Sequence, residues 1–169
     1  MKRKSIFLIG LMAVGKSSVG KLLADKLNRP FYDSDKEIEK KAGAEISWIF
    51  DVEGEGGFRD REEQIISELT AKKGAVVATG GGVVEREQNR KRIASEGIVI
   101  HLDCPKEILV ERLLNDKKRP LLQGADVDKV LMRLKKRRDP LYREIADYMF
   151  ITDKQNTLDL VRAIISTLN

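Results

Sequence analysis

The stretch that most constrains this chain is Ser5 to Gly20, Ser-Ile-Phe-Leu-Ile-Gly-Leu-Met-Ala-Val-Gly-Lys-Ser-Ser-Val-Gly. Ile6 to Ile9 form a four-residue apolar run, the mark of a short strand buried on both faces. Gly10 to Ser17 then complete the pattern Gly-x-x-x-x-Gly-Lys-Ser, and apolar residues at helical spacing follow at once. Such a loop turns its N–H groups inward, and the helix behind it adds the positive end of its dipole. Polyphosphate suits that concavity: Lys16 reaches the β- and γ-phosphates, and Ser17 offers its hydroxyl to Mg2+. A turn that merely joins strand to helix is the alternative, and strand, eight-residue pattern and helix standing in register weigh against it. The pattern predicts a nucleoside triphosphate as ligand.

At 169 residues the chain reads as one domain, 1–169, long enough for a proper core. No apolar run approaches a membrane span. The basic start Met-Lys-Arg-Lys leads into an apolar stretch that Gly10 and Lys16 interrupt, so no signal segment is read and a cytoplasmic protein is expected. Cys104 is the only cysteine, which excludes an internal disulfide and a thiolate metal cluster. His101, the only histidine, has apolar neighbours and reads as a structural strand residue. The net charge of +5 is uneven: between Arg112 and Arg143, eleven Lys or Arg stand against four Asp. With aromatic residues at only 5%, nucleic acid is a poor explanation for that run. Solvated helix faces and small anionic substrates account for it better, and no membrane partner is expected.

The remaining pattern alternates strands with helices. A helix from Gly15 to about Leu27 carries Val19, Leu22, Leu23 and Leu27 on one face, and Asn28 and Pro30 end it. Phe31-Tyr32-Asp33 reads as a second strand, with Ser34 capping a charged helix from Asp35. Ile46 to Phe50 and Phe58 to Leu69 read as helical pieces parted by a turn at Gly54 to Gly57. Ala75 to Ala78 is a third strand, running into Thr79-Gly80-Gly81-Gly82, and a helix from about Glu85 to Glu96 follows. Ile98 to Leu102 is the fourth strand, and Pro105 opens the next helix. Asp116 to Gly124, heavily charged and without periodicity, reads as a mobile loop. Asp126 caps a long helix bearing Val127, Val130, Leu131 and Leu134 and disturbed at Pro140. Tyr148 to Thr152 is the fifth strand and Leu158 to Leu168 a closing helix. This order predicts an α/β fold, a five-stranded parallel sheet with helices on both faces.

Ligands of open parallel sheets gather at the carboxyl ends of the strands. Asp33-Ser34-Asp35 stands at one such end, where alternate positions aim two carboxylates into one crevice: Asp33 to hold Mg2+, Asp35 to accept a hydrogen bond from a substrate hydroxyl. Helix capping explains the same residues equally well. Gly80-Gly81-Gly82 forgo side-chain packing, which is understandable if a ligand approaches their backbone closely. Arg59 after Phe58, Arg119 before Pro120-Leu121-Leu122, and Arg138 before Asp139-Pro140-Leu141-Tyr142 are singled out by their flanking residues. Neither Arg59 nor Arg138 has an obvious helical ion-pair partner to account for it, and their planar forks suit a carboxylate.

In this order the motifs resemble the shikimate kinases of the bacterial aromatic pathway. The match runs through Gly10–Ser17, Phe31-Tyr32-Asp33-Ser34-Asp35, Ile49-Phe50 through Gly54-Glu55 to Phe58-Arg59, Thr79 to Gly82, Arg119-Pro120-Leu121-Leu122, and Arg138 with Leu141-Tyr142. The glycine-lysine-serine loop is generic to P-loop proteins; the triple glycine, the Phe-Arg pair and the Asp-x-Asp are specific. The resemblance implies a P-loop NTPase three-layer fold and a soluble, monomeric enzyme that makes shikimate 3-phosphate from shikimate and ATP with Mg2+. It implies that Gly10, Ala13, Val14, Gly15, Lys16, Ser17 and Ser18 hold the nucleotide, with Arg112 stacking on adenine and Gln155 to Thr157 as its other wall. It implies that Asp35, Arg59, Arg138 and the Gly80, Gly81 and Gly82 backbone bind shikimate, on helices spanning about 35–69 and beyond, with Phe50 and Phe58 lining the ring. Ser17 and Asp33 serve the metal, and Lys16, Asp35 and Arg119 act in the transfer, Arg119 from a lid at about 116–124. Ala13 stands where the family often has glycine, a change expected to be tolerated unless the backbone there needs positive φ. A nucleoside or nucleotide kinase, and a nucleotide-gated binding protein without transfer chemistry, are the alternatives.

Overall fold

All five residues of β1 (Ser5–Ile9) are buried. A strand apolar on both faces needs a neighbour along each edge and cover above and below. In the computed structural model, which describes residues 3–116, 126–154 and 156–169, those neighbours are β3 (Val76–Ala78) and β4 (Gly97–Asp103). β2 (Phe31–Asp33) pairs outside β3, and β5 (Tyr148–Ile151) outside β4, giving a parallel sheet in the order β2-β3-β1-β4-β5. The register sets Asp33, Ala78, Leu8 and Ile100 in one row across four strands. The segments that leave β2, β3 and β1, namely Ser34-Asp35, Thr79-Gly80 and Gly10, therefore emerge side by side at one edge.

Seven helices flank the sheet among the described residues: α1 (Lys16–Leu27), α2 (Ser34–Ala42), α3 (Ile46–Ala71), α4 (Glu87–Glu96), α5 (Lys106–Leu114), α6 (Val127–Ile145) and α7 (Thr157–Leu168). α1 packs on α7, α3 on α2 and α4, and α5 on α6. Phe7, Leu8 and Ile100 from the sheet meet Leu23, Ile66, Ile93, Leu109 and Val161 from the helices in one core. No helix of the described residues is long and apolar enough to cross a membrane.

Several sequence expectations shift on detail. Asp33, not Ser34, caps α2: its side chain accepts from the N–H groups of Asp35 and Lys36. The turn expected over Gly54 to Gly57 shrinks to one residue, because Gly54 alone leaves helical geometry (φ +71°, ψ 179°) and α3 resumes directly after it. α4 starts at Glu87, after a 3-10 turn at Val83–Glu85. Helix α6 continues through Pro140. The carbonyl that loses its partner there belongs to Lys136, which is exposed, as is Pro140, so water can satisfy it. Of the expected lid only Asp116 lies among the described residues; Arg119 and Gln155 lie outside them.

Candidate active site

The loop between β1 and α1 has its shape dictated by its neighbours. Gly10 has φ +147°, and the Leu102 carbonyl oxygen occupies the place where a Cβ would stand. Gly15 precedes the first turn of α1, which no side chain caps. The leading N–H groups of the helix thus face the loop's concavity, ready for an anion. Lys16 is buried, its ammonium donating to the carbonyls of Gly10 and Leu11 at 2.7 Å each. Ala13 does take positive φ, +65°. The condition under which alanine was expected to be tolerated is not met, and its Cβ imposes strain where glycine would impose none.

Asp33 serves two purposes on two oxygens. Oδ1 caps α2, accepting from Asp35 N at 3.0 Å and Lys36 N at 3.3 Å. Oδ2 accepts the Ser17 hydroxyl at 2.6 Å. Capping through Oδ1 therefore leaves Oδ2 turned toward the loop serine. A hydroxyl and a carboxylate oxygen side by side at the mouth of a phosphate loop are hard donors of the kind Mg2+ takes, so the residues present fit that ion.

Ser34, displaced from the capping role, is buried, and its hydroxyl accepts the Gly80 N–H at 2.9 Å. That bond fixes the triple glycine against α2. None of the three glycines takes positive φ, so space is what requires them. A Cβ on Gly80 would lie 2.6 Å from Asp35 Oδ1 and 3.1 Å from Glu62 Oε2. One on Gly81 would stand 3.3 Å from Arg138 Nη1, and one on Gly82 would collide with the Arg59 guanidinium. Each glycine makes room for one predicted acceptor-binding side chain. Asp35, Arg59 and Arg138, 24 and 79 positions apart in sequence, meet along this one strip of backbone.

Both arginines have carboxylate partners, contrary to the expectation for Arg59. Arg59 Nη1 donates to Glu62 Oε1 at 2.8 Å, one helical turn on, and Glu55 Oε1 lies 3.6 Å from Nη2. Arg59 also lies over the Phe58 ring, and Phe58 stacks on Phe50 with centroids 4.7 Å apart. Glu62 is fully buried, and its Oε2 has no hydrogen-bond partner among the described residues. Burial pushes its carboxyl up to about 7, against the opposing pull of the Arg59 guanidinium. Arg138 Nε donates to Glu85 Oε1 at 2.9 Å. One turn further along α6, the Tyr142 hydroxyl donates to the Gly81 carbonyl at 2.5 Å, and its ring stacks on buried His101. Glu62 and Glu85 escaped the sequence reading. Glu62 carries a signal in its i,i+3 spacing from Arg59; Glu85 carries none, because it meets α6 only in the folded chain.

Behind this strip, His101, Asp103 and Asp139 bring their side-chain ligand atoms within 4.8 Å of one another, close enough to hold a metal ion. The Lys135 ammonium already stands between the carboxylates, 2.9 Å from Asp103 and 3.1 Å from Asp139, and supplies the positive charge there.

Two cavities meet across the loop, sharing Ala13, Gly15 and Ser18. One, about 210 Å³, is lined by Lys16, Ser17, Asp33, Asp35, Thr79, Gly80 and Gly81. The other, about 270 Å³, is lined by Val14, Val19, Arg112, Thr152, Asp153, Thr157 and Leu160. Arg112 is held in its wall by the carbonyls of Ala13, at 2.9 Å, and Asp153, at 3.2 Å. The Thr152 hydroxyl donates to the Val14 carbonyl at 2.7 Å. Sequence reading placed Arg112 and Thr157 here but missed Thr152 and Asp153.

A parallel sheet flanked by helices, a glycine-lysine-serine loop at the carboxyl end of its central strand, and a second pocket beside that loop define a P-loop kinase. A model of the shikimate kinase family matches residues 12–169. The chain belongs to the shikimate kinase family. The shikimate kinase of Pseudoalteromonas atlantica is 49% identical over 168 residues, covering 99% of this chain and 98% of the relative. Shikimate kinase 1 of Citrobacter koseri is 50% identical over 168 residues, with 99% and 97% covered. The solved structure of shikimate kinase from Acinetobacter baumannii in complex with shikimate is similar with a TM-score of 0.94 at 46% identity, over 98% of this chain and 93% of that one.

Proposed function

We infer that this protein transfers the γ-phosphoryl group of ATP to the 3-hydroxyl of shikimate, giving shikimate 3-phosphate and ADP. The observation that carries the reading is the meeting of one carboxylate, Asp35, and two guanidinium groups, Arg59 and Arg138, along the glycine strip beside the phosphate loop. An acceptor with a carboxylate at one end and a hydroxyl at the other spans such a site. The arginines bind the carboxylate through planar forks, and Phe50 and Phe58 supply an apolar wall for the ring. Asp35 faces the hydroxyl and takes or orients its proton as the oxygen attacks phosphorus.

ATP lies across the two cavities, its base in the larger one against Arg112 and its phosphates on the loop. Lys16 moves from the loop carbonyls to the β- and γ-phosphate oxygens and neutralises charge that develops there. Ser17 and Asp33 would hold Mg2+, which would supply further neutralisation of the phosphates. Arg119 closes over the phosphates in this reading. Positioning and charge stabilisation carry the catalysis.

The test is ADP release with Mg-ATP, with and without shikimate. Release stimulated by shikimate and not by nucleosides or nucleotides is expected; the reverse preference would overturn the reading. Arg59→Lys and Arg138→Lys keep the positive charge but lose the planar fork that grips a carboxylate through two parallel bonds. Each should raise the acceptor KM steeply and leave the ATP KM near its native value.

A further inference from the structure

We propose that Glu85 is a positioning residue that sets acceptor affinity by aiming Arg138. This rests on the assignment of Arg138 to the acceptor's carboxylate. Glu85 ends the 3-10 turn directly after the triple glycine, and its N–H donates to the Gly82 carbonyl at 3.0 Å. Its side chain, 11% exposed, reaches α6, where Oε1 accepts from Arg138 Nε at 2.9 Å and Oε2 lies 2.8 Å from Arg137 Nη2. Arg86, the next residue, reaches the opposite way, to Asp60 and Glu63 on the helix that carries Arg59. The segment after the glycines thus ties together the two helices from which the arginines project.

The choice of nitrogen is what matters. A guanidinium has a side edge, through Nε, and an end edge formed by its two Nη groups. Glu85 occupies Nε, so the plane of Arg138 is fixed and its Nη1 is held over Gly81. A fork fixed in its plane loses less freedom when it grips a carboxylate, and a misplacement of about 1 Å at such a site is worth up to about 100-fold. Glu85 also has an opposing effect, because its negative charge repels the acceptor's carboxylate. Lost aim therefore raises the acceptor KM, whereas lost charge lowers it, and the two conservative variants separate these effects.

Glu85→Gln keeps the reach and the acceptor oxygen for Nε but loses the charge; Glu85→Asp keeps the charge but falls short by one methylene. If Glu85 acts by aiming Arg138, Gln leaves the shikimate KM within about 3-fold of native and Asp raises it about 10-fold or more. In both variants the ATP KM and the melting temperature stay close to native. An impaired Gln variant with a native-like Asp variant would overturn the inference, as would two unaffected variants or two equally impaired ones with lowered melting temperatures. Arg138→Lys, measured alongside, separates the inference from the reading beneath it. If Arg138→Lys leaves the shikimate KM unchanged, the assignment of Arg138 fails; if it raises KM while Glu85→Asp does not, only the role of Glu85 fails.

Discussion

Gly80→Ala is the sharpest single test of the acceptor site. The added Cβ would stand 2.6 Å from Asp35 Oδ1, where ordinary contact begins at 3.4 Å. The Asp35 carboxylate must retreat by about 0.8 Å, because the Gly80 backbone is pinned by Ser34 and cannot move instead. The atom that yields is the end of a side chain, so the fold absorbs the change with a melting temperature within a few degrees of native. The chemistry does not absorb it. A misplacement of about 1 Å at a reacting group costs on the order of 100-fold, so kcat should fall about 10- to 100-fold. ATP binding should hold, since the loop and the larger cavity are untouched. Gly82→Ala provides the contrast: its Cβ displaces Arg59 rather than Asp35, and the loss should fall on the shikimate KM. Steady-state ADP release with each substrate varied in turn reads both quantities. A folded Gly80→Ala variant with kcat within 2-fold of native would refute the placement of Asp35 at the reacting hydroxyl.

Lys16→Ala should abolish phosphoryl transfer while leaving the melting curve nearly unchanged, and measurable turnover in a folded variant would remove Lys16 from the mechanism. Ala13→Gly relieves a left-handed conformation that costs a side chain about 1–2 kcal/mol, offset by about 0.4–1 kcal/mol of extra freedom in the unfolded chain. A small rise in melting temperature is expected, and a fall would contradict the strain argued at this position. Glu62 binds its proton up to about pH 7 in the folded state and only to about 4.5 when unfolded. Native stability contributed through this group therefore falls as pH rises from 4.5 to 7, by at most about 3 kcal/mol. Glu62→Gln should lose that component, so urea denaturation at pH 5 and pH 8 should show the variant gaining on the native protein at the higher pH. An identical pH response in both would mean that the buried carboxyl does not carry the proton.

The phosphate loop and all five strands were legible because each is a local pattern: an apolar run ended by glycine, aspartate or proline. The positions of Asp35, Arg59 and Arg138 were legible from their flanking motifs, yet the reason for the triple glycine was not. Sequence reading made room there for a ligand, whereas the folded chain fills that room with the chain's own side chains, arriving from three different elements. Glu85 was invisible for the same reason, since nothing in the order of residues says that the end of a 3-10 turn will meet a helix 53 positions later. Ala13 posed a question that only its dihedral angle answers. Glu62 looked like one more charged residue on a charged helix, and its burial, which changes its proton affinity, depends on packing between helices.

Asp33 makes one side chain answer to two parts of the fold at once. Its two oxygens divide the work between the helix end and the loop serine. Asparagine or serine could still cap α2 but would remove the charge that suits a metal. Glutamate would keep the charge but is a poor fit for the short reach of a cap. Aspartate alone meets both demands, so Asp33→Asn parts them: the end of α2 stays capped while the charge beside Ser17 is lost.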